Sequence, residues 1–144
     1  MSRETPDHHD AELVLRVYDM RREAVMRQSR DALAQRFWPK KYEDLKEVAS
    51  QEHPLNAAWR QVAAYWELVY GMVRHGIVHP AYFLESNGEG LFLFAKIDPY
   101  LDQYRKEFSP TAFQNTAWVA RESPDGKRLY ETIAARVKRM AASR

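Results

Sequence analysis

No cysteine occurs among the 144 residues, which excludes a disulfide framework, a thiolate nucleophile and a zinc site built on sulfur. Glycine and proline are scarce, at five and seven positions, so collagen-like, linker-like and globally disordered chains are excluded too. Long apolar runs are missing: the longest, residues 62–66 and 91–95, fall far short of the roughly 18 needed to cross a bilayer. The first ten residues mix Arg3 with Glu4, Asp7 and Asp10, so neither a signal peptide nor an acid-poor transit peptide is expected. These absences predict a soluble, cytoplasmic protein with no membrane span. What is present is a globular composition, 45% hydrophobic and 29% charged, in a chain long enough for one domain without staples.

The net charge of +2 conceals an uneven distribution. Residues 16–41 carry eight basic and three acidic side chains, and residues 127–144 carry six and one. Residues 42–107 are acidic by ten to six. Basic outer helices flanking an acidic centre, or meeting an acidic patch on a second subunit, are one reading. Attraction of a polyanion along an arginine-rich helix is the other.

The hydrophobic period is helical nearly everywhere. Leu13, Val14, Val17, Met20, Ala24 and Gln28 follow three- and four-residue steps after an acidic start at Asp7 and Asp10, which suits a helix N-terminus. One long helix is expected there, carried by Ala32, Leu33 and Phe37 to Pro39, with Ser29 as an alternative cap for a second segment. Trp38 before Pro39 marks a turn, and a short helix over 42–49 follows. The stripe Trp59, Val62, Trp66, Val69 and Val73, widened by Tyr65 and Met72, predicts a central helix over 55–75. Gly76 ends it in a left-handed conformation, and His79 then Pro80 launch a short helix.

Residues 86–90 read as a loop. Residues 91–95 alone fit a buried strand, but Phe94, Ile97, Leu101, Tyr104 and Phe108 keep helical phase, and a lone strand has no partner. A helix kinked at Pro99 is therefore expected, or two helices with Asp98 as the cap between them. Ser109 and Pro110 open another helix toward Ala120. The stripe Leu129, Tyr130, Ile133, Val137 and Met140 defines the last. The predicted fold is an all-α bundle of five to seven helices in one domain over 1–144, with flexible tails at 1–9 and 141–144. Trp59, Tyr65, Trp66 and Leu101 are its expected core anchors.

Chemistry-bearing motifs are sparse. Glu67 lies on a face of the central helix that it shares with Ala63, Ala64 and Gly71, small residues that admit another helix. A carboxylate at such a contact needs a partner, and Arg105 is the predicted one, as a structural ion pair. His8, His9 and Asp10 lack a fourth metal ligand, and Gly76 separates His75 from His79, so no metal site is expected. Residues 87–90 lack the spacing and lysine of a phosphate loop, and no serine sits in a nucleophile frame. No catalytic residue and no cofactor are predicted, and an enzyme is not expected.

The run Tyr65-Trp66-Glu67-Leu68-Val69, then Arg74-His75-Gly76-Ile77-Val78, and after a glycine-rich break Asp98-Pro99-Tyr100-Leu101 with Arg105, resembles uncharacterised bacterial helical domains known only as domains of unknown function. The resemblance covers about residues 10–108. It implies a helical fold and brings no catalytic residues with it. Many of those domains carry an N-terminal membrane helix, which has no counterpart in this sequence.

The functional expectation is a helical interaction or scaffold module that associates with itself or with another protein. Arg16, Arg27 and Arg30, beside Tyr18, Met26 and Phe37, form the candidate interface. Mixed charge from Glu12, Asp19, Glu23 and Asp31 on the same segment favours a homodimer over nucleic acid, because phosphate tracking needs a continuous positive stripe. Nonspecific nucleic-acid binding through residues 16–41 is the alternative.

Overall fold

The computed structural model describes residues 4–144, and every regular element in them is helical. The chain runs through α1 (His8–Arg21), α2 (Ala24–Arg36), α3 (Tyr42–Val48), α4 (Asn56–Arg74), α5 (Pro80–Ser86) and α6 (Glu89–Ile97). A 3-10 turn (Asp98–Tyr100) leads to α7 (Leu101–Glu107), α8 (Gln114–Arg121) and α9 (Pro124–Ala142). These nine α-helices among the described residues exceed the expected five to seven, because local capping cuts segments that hydrophobic phase joins.

The largest such correction concerns the predicted long helix. It breaks at Glu23, whose backbone turns extended (ψ 142°) and whose carboxylate accepts from the Met26 amide at 2.9 Å. Glutamate is a weak capping residue by statistics, so the apolar period hides the break. The bend turns the second segment inward: Met26 and Phe37 are only 6% and 2% exposed.

Three further boundaries shift for local reasons. The expected loop over 86–90 shrinks to Asn87 and Gly88, since Glu89 already opens α6. The helix expected from Ser109 starts only at Gln114, after Phe113 adopts a left-handed conformation (φ 60°). That conformation is unfavourable for a residue with a side chain, but it swings the Phe113 ring against Trp59, Phe94 and Tyr104 at 5.6, 6.0 and 6.1 Å. The kink at Pro99 is a 3-10 joint anchored by Asp98, which accepts from Arg121 of α8 and Tyr130 of α9, both at 2.7 Å.

Helix α4 is the axis. α2 and α8 pack along it, and α6 lies against α9. One hydrophobic core extends from Val17 in α1 to Ala120 in α8, with Leu129, Tyr130 and Ile133 of α9 packed on it. Trp66 is 1% exposed, and Trp59, Tyr65 and Leu101 are buried in the same core. α8 reaches α4 at Gly71, where a methyl group in place of the glycine hydrogen would lie 3.0 Å from the Asn115 side chain. α9 begins where Gly126 sits directly on the Val119 carbonyl.

Asp7 and Asp10 exchange side-chain-to-backbone hydrogen bonds of 3.0 and 2.8 Å that cap α1 at the edge of the expected tail. Residues 1–3 of that tail lie outside the described residues. At the other end, where 141–144 are expected to fray, α9 runs to Ala142 and the Arg144 guanidinium sits 4.2 Å above the Trp38 ring. Arg144 also donates to the Gln35 carbonyl at 3.2 Å.

Candidate functional site

The bend at Glu23 splits the predicted interface in two. Helix α1 buries Val17, whose carbonyl accepts from the Tyr65 hydroxyl, and turns its other side outward. On α1 Leu15, Tyr18 and Met20 are 66%, 48% and 44% exposed, and Val25 just past the bend is 52% exposed. Arg21 and Arg22 lie 5.2 and 5.4 Å from the Tyr18 ring centre, so the aromatic is flanked by guanidinium groups. Arg16 and Arg27 are exposed.

The remaining predicted interface residues are engaged internally. Met26 and Phe37 belong to the core, which corrects the expectation that they are exposed. Arg30 grips Glu89 of α6 through two bonds of 2.8 Å and donates to the Arg21 carbonyl at 3.2 Å. The Glu89 hydrogen bond holds the Arg30 guanidinium above its already high pKa. Such a bidentate pair leaves Arg30 little capacity for phosphate.

Glu67 and Arg105 do not pair. Among the described residues the Glu67 carboxylate accepts from the Asn115 amide at 2.8 Å, the Thr116 amide at 3.0 Å and the Thr116 hydroxyl at 2.8 Å. Arg105 instead donates to the Ala112 carbonyl at 2.9 Å. The physical reason is the start of α8. Phe113 supplies no side-chain cap, so the first amides of α8 and the positive end of its dipole need an acceptor, and Glu67 provides one from α4. The small residues around Glu67 do admit a helix, but what the carboxylate meets is that helix's N-terminus.

The three ligand candidates at the N-terminus are separated by the same logic. Asp10 is buried and accepts the His79 backbone amide at 2.8 Å, while His8 and His9 face solvent. His79 caps α5 by accepting from the Tyr82 amide at 3.1 Å. No group of three or more potential metal ligands occurs among the described residues.

One charged group escaped the sequence reading. Lys96 of α6 is 6% exposed, and its ammonium donates to the Leu33 and Phe37 carbonyls at 3.2 and 2.9 Å, closing the C-terminal end of α2. The Trp38 ring centre lies 3.9 Å away. Burial, reinforced by Arg144, pushes its pKa down to about 8 against an opposing pull from Glu89. The available signal was a lone lysine inside an otherwise apolar helix, residues 91–97, where a snorkelling stem and a capped carbonyl end are both common.

An all-helical body of this kind, with no strand and no bilayer-length apolar helix among the described residues, defines the class: a helical domain built around one central helix. The chain belongs to the family described as a domain of unknown function, DUF4760, which matches residues 6–123. No curated protein and no solved structure matches it.

Proposed function

We propose that this protein is a helical interaction module that docks through α1 and the bend after it, and that its partner is a second copy of the chain. The observation that supports this reading is that Leu15, Tyr18, Met20 and Val25, four of the seven large hydrophobic side chains exposed among the described residues, all fall on α1 and the bend after it. Scattered exposed apolar residues need no explanation, but four within eleven residues of chain, interspersed with the exposed Arg16 and Arg22, have the composition of an interface centre. Glu12, Arg16 and Asp19 on the same helix give it both signs of charge. Two copies of α1 crossing about a twofold axis therefore meet with opposite charges apposed. The setting that goes with this reading is a homodimer in a bacterial cytoplasm.

Nucleic-acid binding through residues 16–41 receives less support, because the segment bends at Glu23 and Arg30 is held by Glu89. Sedimentation velocity from about 5 to 100 µM tests the choice. Leu15→Glu with Tyr18→Glu should convert a dimer to a monomer with unchanged helicity, since each change buries a charge in the contact. A wild-type chain that stays monomeric across the range refutes the module. A gel shift of arbitrary duplex DNA at micromolar protein in about 150 mM salt hands the case to the alternative.

A further inference from the structure

A cleft of about 500 Å³ opens where α6 meets α2 and α9. It falls within the roughly 300–1,000 Å³ typical of small-molecule sites. Its lining is largely apolar, with Leu33, Phe92 and Ile133 among it, and its charged groups are four: Arg30, Glu89, Lys96 and Arg136. Their states differ. Glu89 accepts two bonds from Arg30 and one from the Trp66 indole at 3.2 Å, so its charge is already matched. Arg136 is exposed, lies 5.7 Å from the Phe92 ring centre, and has no carboxylate within salt-bridge distance among the described residues. Lys96 bonds only to neutral carbonyls.

Counting these four groups, Arg30 and Glu89 cancel while Lys96 and Arg136 do not, which leaves the cleft with two uncompensated positive charges in a largely apolar lining. A cationic ligand would find no free acid there, and a neutral apolar one would leave Arg136 without an anionic partner. A second cleft, of about 650 Å³, is lined by Trp38, Pro99, Tyr100 and Lys138 and also touches Lys96. Its acid, Asp98, is already bound by Arg121 and Tyr130. That leaves Lys96 and Lys138 as its cations, whereas the first cleft offers Arg136, whose guanidinium can take a carboxylate through two parallel bonds.

We propose that the cleft between α2, α6 and α9 binds a small organic anion with an apolar body, its carboxylate at Arg136 and its chain along Phe92 and Ile133. Guanidinium and carboxylate match as a bidentate pair, and Lys96 adds attraction at short range in a partly dry site. Its lining includes none of Leu15, Tyr18, Met20 and Val25, so the site stands whether or not the protein dimerises.

Titration calorimetry at pH 7 with octanoate, octanol and octylammonium as probes tests it. Octanoate should bind at one site, at least about tenfold tighter than either of the others, a difference worth about 1.4 kcal/mol. Arg136→Glu changes an exposed residue and should weaken octanoate at least about tenfold with helicity unchanged. Thr132→Trp, on the exposed rim, should block uptake by filling the opening. Absence of saturable octanoate binding up to several millimolar, equal binding of all three probes, or an unaffected Arg136→Glu variant each overturns the proposal. Vesicles containing phosphatidylglycerol form the last arm: co-sedimentation that Arg136→Glu abolishes, without uptake of free octanoate, would assign the cations to a lipid surface and also overturn it.

Discussion

Glu67 offers the sharpest test of how α8 is held. Its carboxylate takes three hydrogen bonds at the N-terminus of that helix, two from backbone amides and one from the buried Thr116 hydroxyl. Loss of an N-cap costs about 0.5–2 kcal/mol, and a hydrogen bond to a charged group contributes about 1.5–3 kcal/mol. These values do not add at one carboxylate, and Glu67 is only half-buried, so water takes up part of the loss. Glu67→Ala should therefore destabilise by about 2–3 kcal/mol. Arg105→Ala removes one bond, to the Ala112 carbonyl, and should cost about 1 kcal/mol. Because the two side chains share no partner, the double variant should lose the sum to within about 0.5 kcal/mol. Glu67→Ala with Thr116→Val should instead couple by about 1 kcal/mol, since each change orphans the other group. Urea melts followed by tryptophan fluorescence, with the slope unchanged, supply all these numbers. Coupling above about 1 kcal/mol between Glu67 and Arg105, or a Glu67→Ala loss below about 0.5 kcal/mol, would refute the capping account.

Two further outcomes follow from the packing. Gly126→Ala should destabilise by about 3 kcal/mol in thermal or urea unfolding, because an added methyl would lie 2.1 Å from the Val119 carbonyl and α8 and α9 would have to part; if helix propensity ruled instead, alanine would stabilise by about 1 kcal/mol. Lys96 sets a pH dependence: its folded pKa of about 8 lies below the ordinary 10.5, so between those values the unfolded chain holds more protons, and stability should rise with pH by an amount on the order of 3 kcal/mol. Tyr42, pushed up to about 12 by burial and by its bond to Glu107, works in the opposite direction above about pH 10, so the rise should flatten there. Lys96→Met should abolish the rise in melts between about pH 7.5 and 10, and a wild-type profile that falls across that window would contradict the buried-ammonium reading.

Much of the helical architecture was legible in the chain because its causes are local. The stripe on α4, the left-handed Gly76 (φ 71°) and the His79–Pro80 start of α5 are each decided within a few residues. Boundaries went astray where a rarer device acted. A glutamate cap at Glu23 and a left-handed phenylalanine at Phe113 carry weak sequence signals, and each broke or shortened a helix that the apolar period extends.

The sequence by itself determined that the chain is helical, that α4 is its apolar axis, and where most helices begin, since helical period and capping are short-range properties. Only the tertiary structure decided which way each exposed-looking side chain turned. Met26 and Phe37 went inside because α2 bends back onto α4, and Arg30 became internal because the same bend brings it to Glu89, 59 residues away. Glu67 met amides and not Arg105, and Lys96 met the carbonyls of α2, because in both cases a helix end arrived at the charge before another charged side chain did. Sequence spacing records which residues share a face. It does not record which end of which helix that face will meet.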